Sequence, residues 1–394
     1  MHAAEDGYLA RVRLPSGRLS ATQASTLATA SRRGNGIVEL TVRGNVQIRG
    51  LAAGSGASLA ELLVEGGFSV APTHERARNF IASPLAGRHP ASLAETDEIV
   101  DTLDREIRAD DRLSELSGRF LFAVDDGSNL ISSDDADVAL VAEADGAFRL
   151  QLTGLETEIT VRADQAAALG LRAANTFLDL QSELGVRAWR LGEIASGPEQ
   201  ISRMLGTITR PRTPRTARRL ECGTIEQRDG KFALTAMPPL GRLDGSTLDQ
   251  LSKLLRAETT ELRLSPTRTI SVLDLPKSRV NAAQRDIARI GLAVAPNSGW
   301  EGLSACAGTG ACAKALIDVR AAAALRAKAS NRRTMRPSVE HWSACQRRCG
   351  EPKAAEITVA AQQSELCVRT SQAEVALKDV DAAIGLLNDR EQSS

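Results

Sequence analysis

The sequence predicts an α+β fold made by internal duplication, in which two small strand-and-helix units are each followed by a larger mixed α/β region. Three observations point there. The segment Leu14-Pro-Ser-Gly-Arg-Leu19 returns as Pro239-Leu-Gly-Arg-Leu243, and each copy leads into helical and then strand-like periodicity. Each copy is followed by a longer stretch that mixes helical registers with short apolar strands. Four of the six cysteines form two tight pairs, Cys306-x5-Cys312 and Cys345-x3-Cys349, and both pairs lie in the second of these stretches.

The elements follow in order. In the first copy Ser20 is positioned to cap a helix whose buried face takes Ala24, Leu27 and Ala28. The run Val38 to Arg49 alternates as a strand does: Val38, Leu40, Val42, Val46 and Ile48 take one face, and Glu39, Thr41, Arg43, Asn45, Gln47 and Arg49 take the other. In the second copy Leu248, Leu251, Leu254 and Leu255 share a helical face. The run Glu261 to Val272 then sets Ser265, Thr267, Thr269 and Ser271 where the first copy has Arg43, Asn45, Gln47 and Arg49. One copy thus keeps a cationic face that the other lacks. The spacing fits a ligand-binding face and the solvated side of an antiparallel sheet equally well.

After the first copy come Ala77-Arg78-Asn79-Phe80-Ile81-Ala82-Ser83-Pro84-Leu85-Ala86-Gly87, a helix with Ile99, Leu103 and Ile107 in register, and the strand Phe120 to Val124 running into Asp125-Asp126-Gly127. This stretch has no cysteine, so only the second half can hold a cysteine-ligated group. Between the halves, the basic run Arg210 to Arg219 reads as a solvated tether.

Composition narrows the function. At 394 residues the chain is long enough for two to four domains, and 42% hydrophobic with 25% charged residues is ordinary for a globular protein. A formal net charge of zero argues against nucleic-acid binding through a general field. The amino-terminal residues show no export pattern, and no apolar run approaches the roughly 18 to 20 residues that span a bilayer. A reducing cytoplasm is therefore expected, with no membrane partner and no disulfides. The four histidines leave little for a histidine-rich metal site.

Four thiolates in two pairs, with small residues around them, suit a cubane iron–sulfur cluster, because backbone can approach the sulfides closely. Cys312 also stands at the start of an expected helix, Ala313 to Ala327, whose amino end would offer N–H groups to an anionic cluster. Zinc is the competing ligand, although the five-residue arm with Gly308 and Gly310 is long for a structural zinc site. A redox disulfide is disfavoured because neither pair is Cys-x-x-Cys. Cys222 and Cys367 are isolated and read as small apolar residues.

The cysteine pairs, the duplicated segment with Thr41-Val-Arg-Gly-Asn45-Val-Gln-Ile-Arg-Gly-Leu51, and Arg78-Asn79 leading to Ser83-Pro-Leu-Ala-Gly87 resemble the sulfite and nitrite reductase superfamily. Ser83 to Pro90, Gly118 to Gly127 and Ala305 to Ala315 look most like its precorrin-3B synthase branch. The resemblance implies two ferredoxin-like half-domains, at 7–65 and 227–296. It further implies a mixed α/β domain without a cluster at 66–205, a linker at 206–226, and a mixed α/β domain carrying a [4Fe-4S] cluster at 297–390.

Cys306, Cys312, Cys345 and Cys349 would ligate that cluster, with Cys349 nearest the catalytic centre, alongside a second iron that is mononuclear in this branch and sirohaem in the reductases. Arg43, Asn45, Arg49, Arg78, Asn79 and Arg119 would surround a polycarboxylate tetrapyrrole, since guanidinium forks bind carboxylates bidentately. The implied reaction is an O2-dependent hydroxylation of precorrin-3A at a meso carbon, followed by closure of a lactone by the ring A acetate, in aerobic cobalamin biosynthesis. The alternatives are a sirohaem-dependent sulfite or nitrite reductase and a non-catalytic zinc or cluster protein. Gly54-Ser-Gly56 lacks a dinucleotide-binding context, so electrons are expected from a separate reductase or ferredoxin. The chain departs from the family pattern at Ala344, where glycine is usual, at Gln346-Arg347-Arg348 between the last two cysteines, and at Arg119, where lysine is common.

Overall fold

A computed structural model describes residues 1–394 except 214–216, 259, 297, 331–337, 364 and 394, so part of the basic run between the halves lies outside the described residues. The fold is α+β and carries four sheets in two related pairs.

Each repeat copy builds a five-stranded antiparallel sheet, but neither sheet is made by its own copy alone. The first runs His2–Ala4, Gly7–Val12, Val46–Leu51, Ile37–Leu40 and then Arg242–Asp244, a strand from the second copy. The second runs Gly223–Glu226, Phe232–Ala236, Ile270–Leu275, Leu262–Leu264 and then Arg18–Leu19, from the first. The exchanged strands are the repeated Gly-Arg-Leu motif itself, which explains why the motif persists in both copies. Gly17 makes room for the exchange: a Cβ there would sit 2.4 Å from the Leu264 carbonyl oxygen, and its φ is 66°.

Between the sheets the helices Ala21–Ser31 and Gly245–Glu258 pack closely. A Cβ at Gly245 would meet Ser31 Oγ at 3.0 Å, and Ser252 Oγ donates to the Ala21 carbonyl at 2.7 Å. One apolar core joins both copies, with Leu27, Val38, Ile48, Leu248, Leu251, Ile270 and Val272 essentially excluded from solvent. Ser20 caps the first helix in a reciprocal box with Gln23, as the sequence predicts.

The expected strands Val38 to Arg49 and Glu261 to Val272 are each a hairpin instead. Ile37–Leu40 pairs with Val46–Leu51, and Leu262–Leu264 with Ile270–Leu275. The alternation survives the turn because Val38 faces Ile48 and Leu40 faces Val46, so both arms point the same residues at one core. The two turns match hydrogen bond for hydrogen bond. Thr41 N donates to Asn45 O as Ser265 N does to Thr269 O, and the left-handed residue is Gly44 in one and Arg268 in the other. Thr267, not Ser265, therefore stands opposite Arg43, two residues from the position the alternation suggests.

The two larger domains are also related. In the first, Phe80–Ala82, Phe122–Asp125 and Val138–Ala142 are parallel neighbours, continued by Phe148–Leu152, Leu155–Val161 and Thr209–Arg210. In the second, Leu303–Ala305, Glu340–Ser343 and Ile357–Gln362 are parallel, continued by Glu365–Thr370 and Glu374–Leu377. Crossover helices Asp97–Ala109 and Val319–Ala329 join the first two parallel strands in each. Among the described residues no helix is long and apolar enough to cross a membrane.

Candidate functional site

Parallel strands deliver their following loops to one end of a sheet, and this places the two cysteine-bearing loops side by side. Leu303–Ala305 ends at Cys306, and its neighbour Glu340–Ser343 ends two residues before Cys345. Cys306 N donates to the Trp342 carbonyl at 3.0 Å, and Ala344 N donates to the Cys306 sulfur at 3.2 Å. The stretch that follows Cys312 folds back to the same place, because Leu316 N donates to the Ala344 carbonyl at 2.9 Å. All four cysteines are free thiols, and Cys349 is the most exposed. Gly308 is required where it stands: its φ is 72°, and a Cβ would lie 2.9 Å from Val319 Cγ1.

The expected helix from Ala313 starts later, at Val319, with Asp318 as its cap accepting from Ala321 N. Residues 313–318 are taken up by the docking onto Ala344, so helix N–H groups do not follow Cys312 directly. Among the described residues no three or more of His, Cys, Asp and Glu gather about one point as ligands of a single ion. A cubane asks for one thiolate per iron corner. Two adjacent loops bearing four free thiols and an N–H directed at sulfur suit that donor set.

The first half shows what fills the same place without a cluster. Strand register makes Ser83 the counterpart of Cys306 and Asp126 that of Ala344. Asp126 N donates to Ser83 Oγ at 3.0 Å where Ala344 N donates to Cys306 sulfur. The buried Asp126 carboxylate then accepts from Gly87 N, Ser92 Oγ, Ser128 N and Ser128 Oγ. The loops of one half are knotted by a carboxylate, and those of the other offer thiols.

The six residues assigned to tetrapyrrole binding separate into two groups. Arg43 stands at the tip of the first hairpin, half-buried, and donates to Asn79 Oδ1 at 2.8 Å and the Gly118 carbonyl at 3.2 Å, with no carboxylate in hydrogen-bond reach among the described residues. Burial, then Arg190 and Arg11, hold its pKa below the ordinary value. Asn79 is fully buried; its Oδ1 also accepts from Arg13, and its Nδ2 donates to the Phe120 carbonyl at 2.8 Å. Arg13 is pushed down to about 10 by burial. Arg119 lies at the exposed edge, paired with Glu193 at 3.3 Å and stacked on the Trp189 ring at 5.2 Å. These groups form one cationic surface, and a cation disfavoured by burial and by like charges gains from an incoming carboxylate.

The other three are structural struts. Asn45 accepts from Leu14 N at 2.8 Å and ties the hairpin to the repeated motif. Arg49 is clamped by Asp6 at 2.9 and 3.0 Å and reaches the Ala311 carbonyl at 3.1 Å, bolting the first sheet to the cysteine arm. Its neighbour Glu39 does the same through Arg320 at 2.6 Å. The polar face of the first sheet is therefore neither solvated nor open. Arg78 is 1% exposed and held by Asp104 at 2.6 Å, Glu75 at 2.7 Å and the Ser69 carbonyl at 2.7 Å. Arg78→Ala should cost about 3–5 kcal/mol of stability, because Asp104 is left buried beside one remaining partner, Arg108. Urea denaturation measures this, and a loss under about 1 kcal/mol would contradict the strut role.

Sequence reading missed Arg13, Asp137, Trp189, Arg190 and Arg268. Asp137 accepts from Leu121 N at 2.8 Å and Leu191 N at 2.7 Å and pairs with Arg190 at 3.0 Å, which fixes residues 189–191 beside the segment that follows the Arg119 turn. No local motif marks such a contact. Arg268 could have been found from the repeat, as the residue at the Gly44 position. Its Nε is buried without a partner, and together with burial its charge drives the buried His341 down to about 4. Arg348 has φ 51° and a buried, unpartnered Nε, and it turns toward Glu351 and Cys367. A cleft of about 460 Å³ lined by Arg13, Arg18, Asp101, Asp104 and Glu261 lies away from the cysteine loops, and its charges of both signs are largely paired.

The nitrite/sulfite reductase ferredoxin-like half domain matches residues 2–65 and 225–290. The chain is 26% identical to a precorrin-3B synthase of Sinorhizobium over 90% of its length and 77% of the relative's. It is 26% identical to a ferredoxin–nitrite reductase of Synechococcus elongatus over 89% and 75%. The NirA protein of Mycobacterium tuberculosis shares the fold, with TM-score 0.74 at 17% identity over 97% of this chain and 79% of that one. Residues 2–65 and 225–290 thus carry, twice and with the strand exchange that the repeat encodes, the ferredoxin-like half domain of nitrite and sulfite reductases.

Proposed function

We propose that the chain is an oxidoreductase of the precorrin-3B synthase kind. It would hydroxylate a meso carbon of precorrin-3A with O2 and two electrons, releasing water, before the ring A acetate closes the lactone. The observation that carries this reading is the pairing of four free cysteines on adjacent strand-end loops with a surface whose central guanidinium, Arg43, has no carboxylate of its own. The similarity to a precorrin-3B synthase along most of both chains supports it.

Cys306, Cys312, Cys345 and Cys349 would hold a [4Fe-4S] cluster, which supplies electrons one at a time from a separate reductase or ferredoxin. The remaining roles belong to this chain's own side chains. Arg43, Arg13 and Arg119 draw the carboxylates of the tetrapyrrole, and Asn79 fixes the first two in direction through its Oδ1. Ala344 N donates to the Cys306 sulfur and ties the two cysteine loops together.

A sirohaem-dependent nitrite reductase is the second reading, favoured by similarity of equal identity to the Synechococcus enzyme. The absorption spectrum of anaerobically purified protein separates the two. A broad shoulder without intense bands is expected; a strong Soret band with red bands would contradict the monooxygenase reading.

A further inference from the structure

Only 3% of this chain is aromatic, and of those side chains Trp189 alone is an exposed one, at 59%, among the described residues. Phe120, Phe122, Phe148, Phe177 and Trp342 are all fully buried. An aromatic ring left in water by a chain that buries its other aromatics wholly or in part invites a partner.

Trp189 is also held still. Its backbone N–H donates to Glu193 Oε2 at 2.8 Å, Ala188 N donates to Gln181 Oε1 at 2.7 Å, and the next two residues are fixed by the buried Asp137. Arg119 lies over the ring at 5.2 Å, and the same Arg119 is tied to Glu193. Arg43 in turn donates to the carbonyl of Gly118, the residue before Arg119, at 3.2 Å. The indole thus belongs to the same patch as the unpaired guanidinium, at its outer edge.

We propose that Trp189 is a stacking platform that receives one pyrrole ring of a planar polycarboxylate tetrapyrrole, backed by Arg119. The assignment rests on the tetrapyrrole reading above. An indole gives a flat apolar contact to a flat ring, and Arg119 and Arg43 stand where peripheral carboxylates would lie. Charge complementarity selects this occupant: an aliphatic protein surface would leave the guanidinium groups of the patch without anions. Trp189 would be a specificity residue, touching the ligand without taking part in bond making.

Uroporphyrin is a suitable probe, titrated anaerobically into the full chain and into the W189A, W189F and R43A variants. W189A should bind roughly tenfold more weakly and lose the Soret shift on binding, while W189F keeps most of both. Thermal melts of the variants should match the parent, as the side chain is exposed. If W189A binds as the parent does while R43A binds poorly, the platform is overturned and the tetrapyrrole reading stands. If the parent chain does not bind uroporphyrin at all, both fall. If W189A binds the probe normally but is reduced more slowly by a ferredoxin, the patch is a protein-docking surface and the platform is likewise overturned.

Discussion

Replacing Cys349 by alanine is expected to bring iron and acid-labile sulfide in the anaerobically purified chain close to background, from about four of each in the parent. Cys306, Cys312 and Cys345 should behave alike, whereas Cys222→Ala and Cys367→Ala should leave both contents unchanged. The contrast follows from where the thiols stand. The four sit on loops at one sheet end, free and at least partly exposed. Cys222 is buried, and burial with the nearby Glu301 pushes its thiol far up. Cys367 lies on the strand Glu365–Thr370, and burial with Glu374, 2.8 Å from its sulfur, pushes it up to about 11. A thiol whose ionisation is disfavoured is a poor metal ligand, since the thiolate is the binding form. Iron retained in Cys349→Ala and lost in Cys367→Ala would put the site elsewhere. Zinc without sulfide in the parent would favour the non-catalytic alternative.

The second large effect is expected at Arg43. Arg43→Ala should weaken binding of a polycarboxylate tetrapyrrole by roughly 10- to 100-fold, the range for losing a charged hydrogen bond to a carboxylate. It should leave the fold intact, because Arg43 is half-buried at a hairpin tip and holds no ion pair. Equilibrium binding and a urea melt on the same sample separate the two effects. Arg78→Ala should show the reverse pattern, with stability lost first. If Arg43→Ala binds as the parent does, the cationic patch around Asn79 is not the ligand surface.

These two arginines show how far sequence reading reached. The duplication, the helix capped by Ser20 and the core residues Leu27, Val38, Ile48, Leu248 and Leu251 were legible because burial imposes periods that a sequence displays. The hairpins read as single strands because both arms turn the same residues to one core, so no break in the alternation marks the turn. The strand exchange was hidden as well, since a two-residue motif says nothing about which sheet it joins. Within the site, the type of residue was legible and its employment was not. Arg43 and Arg49 look equivalent in the alternating run, yet the carboxylate of Asp6, far away in sequence, clamps Arg49, while Arg43 is held only by the neutral oxygens of Asn79 and Gly118 among the described residues. Arg78 and Asn79 are neighbours with different duties: the first is sealed between Asp104 and Glu75, and the second aims Arg13 and Arg43.

The two larger domains add a physical account of why the halves diverged. Ser83 and Cys306 occupy the same register and accept the same backbone hydrogen bond. Around Ser83 the buried Asp126 ties its loops with four hydrogen bonds, which leaves that end closed and self-sufficient. Around Cys306 the equivalent residue is Ala344, which supplies no such knot. The cysteine loops instead lean on Arg49, which reaches in from the first sheet, and on the contact of Leu316 with Ala344, which ties one loop to the other.

The central claim is tested most directly by incubating the full chain with precorrin-3A, labelled O2 and a reductant with its electron carrier, and weighing the product by mass spectrometry. The account predicts a product heavier by one labelled oxygen atom, formed by the parent chain and not by Cys349→Ala. Unchanged precorrin-3A from a preparation with a full complement of iron and sulfide would contradict it.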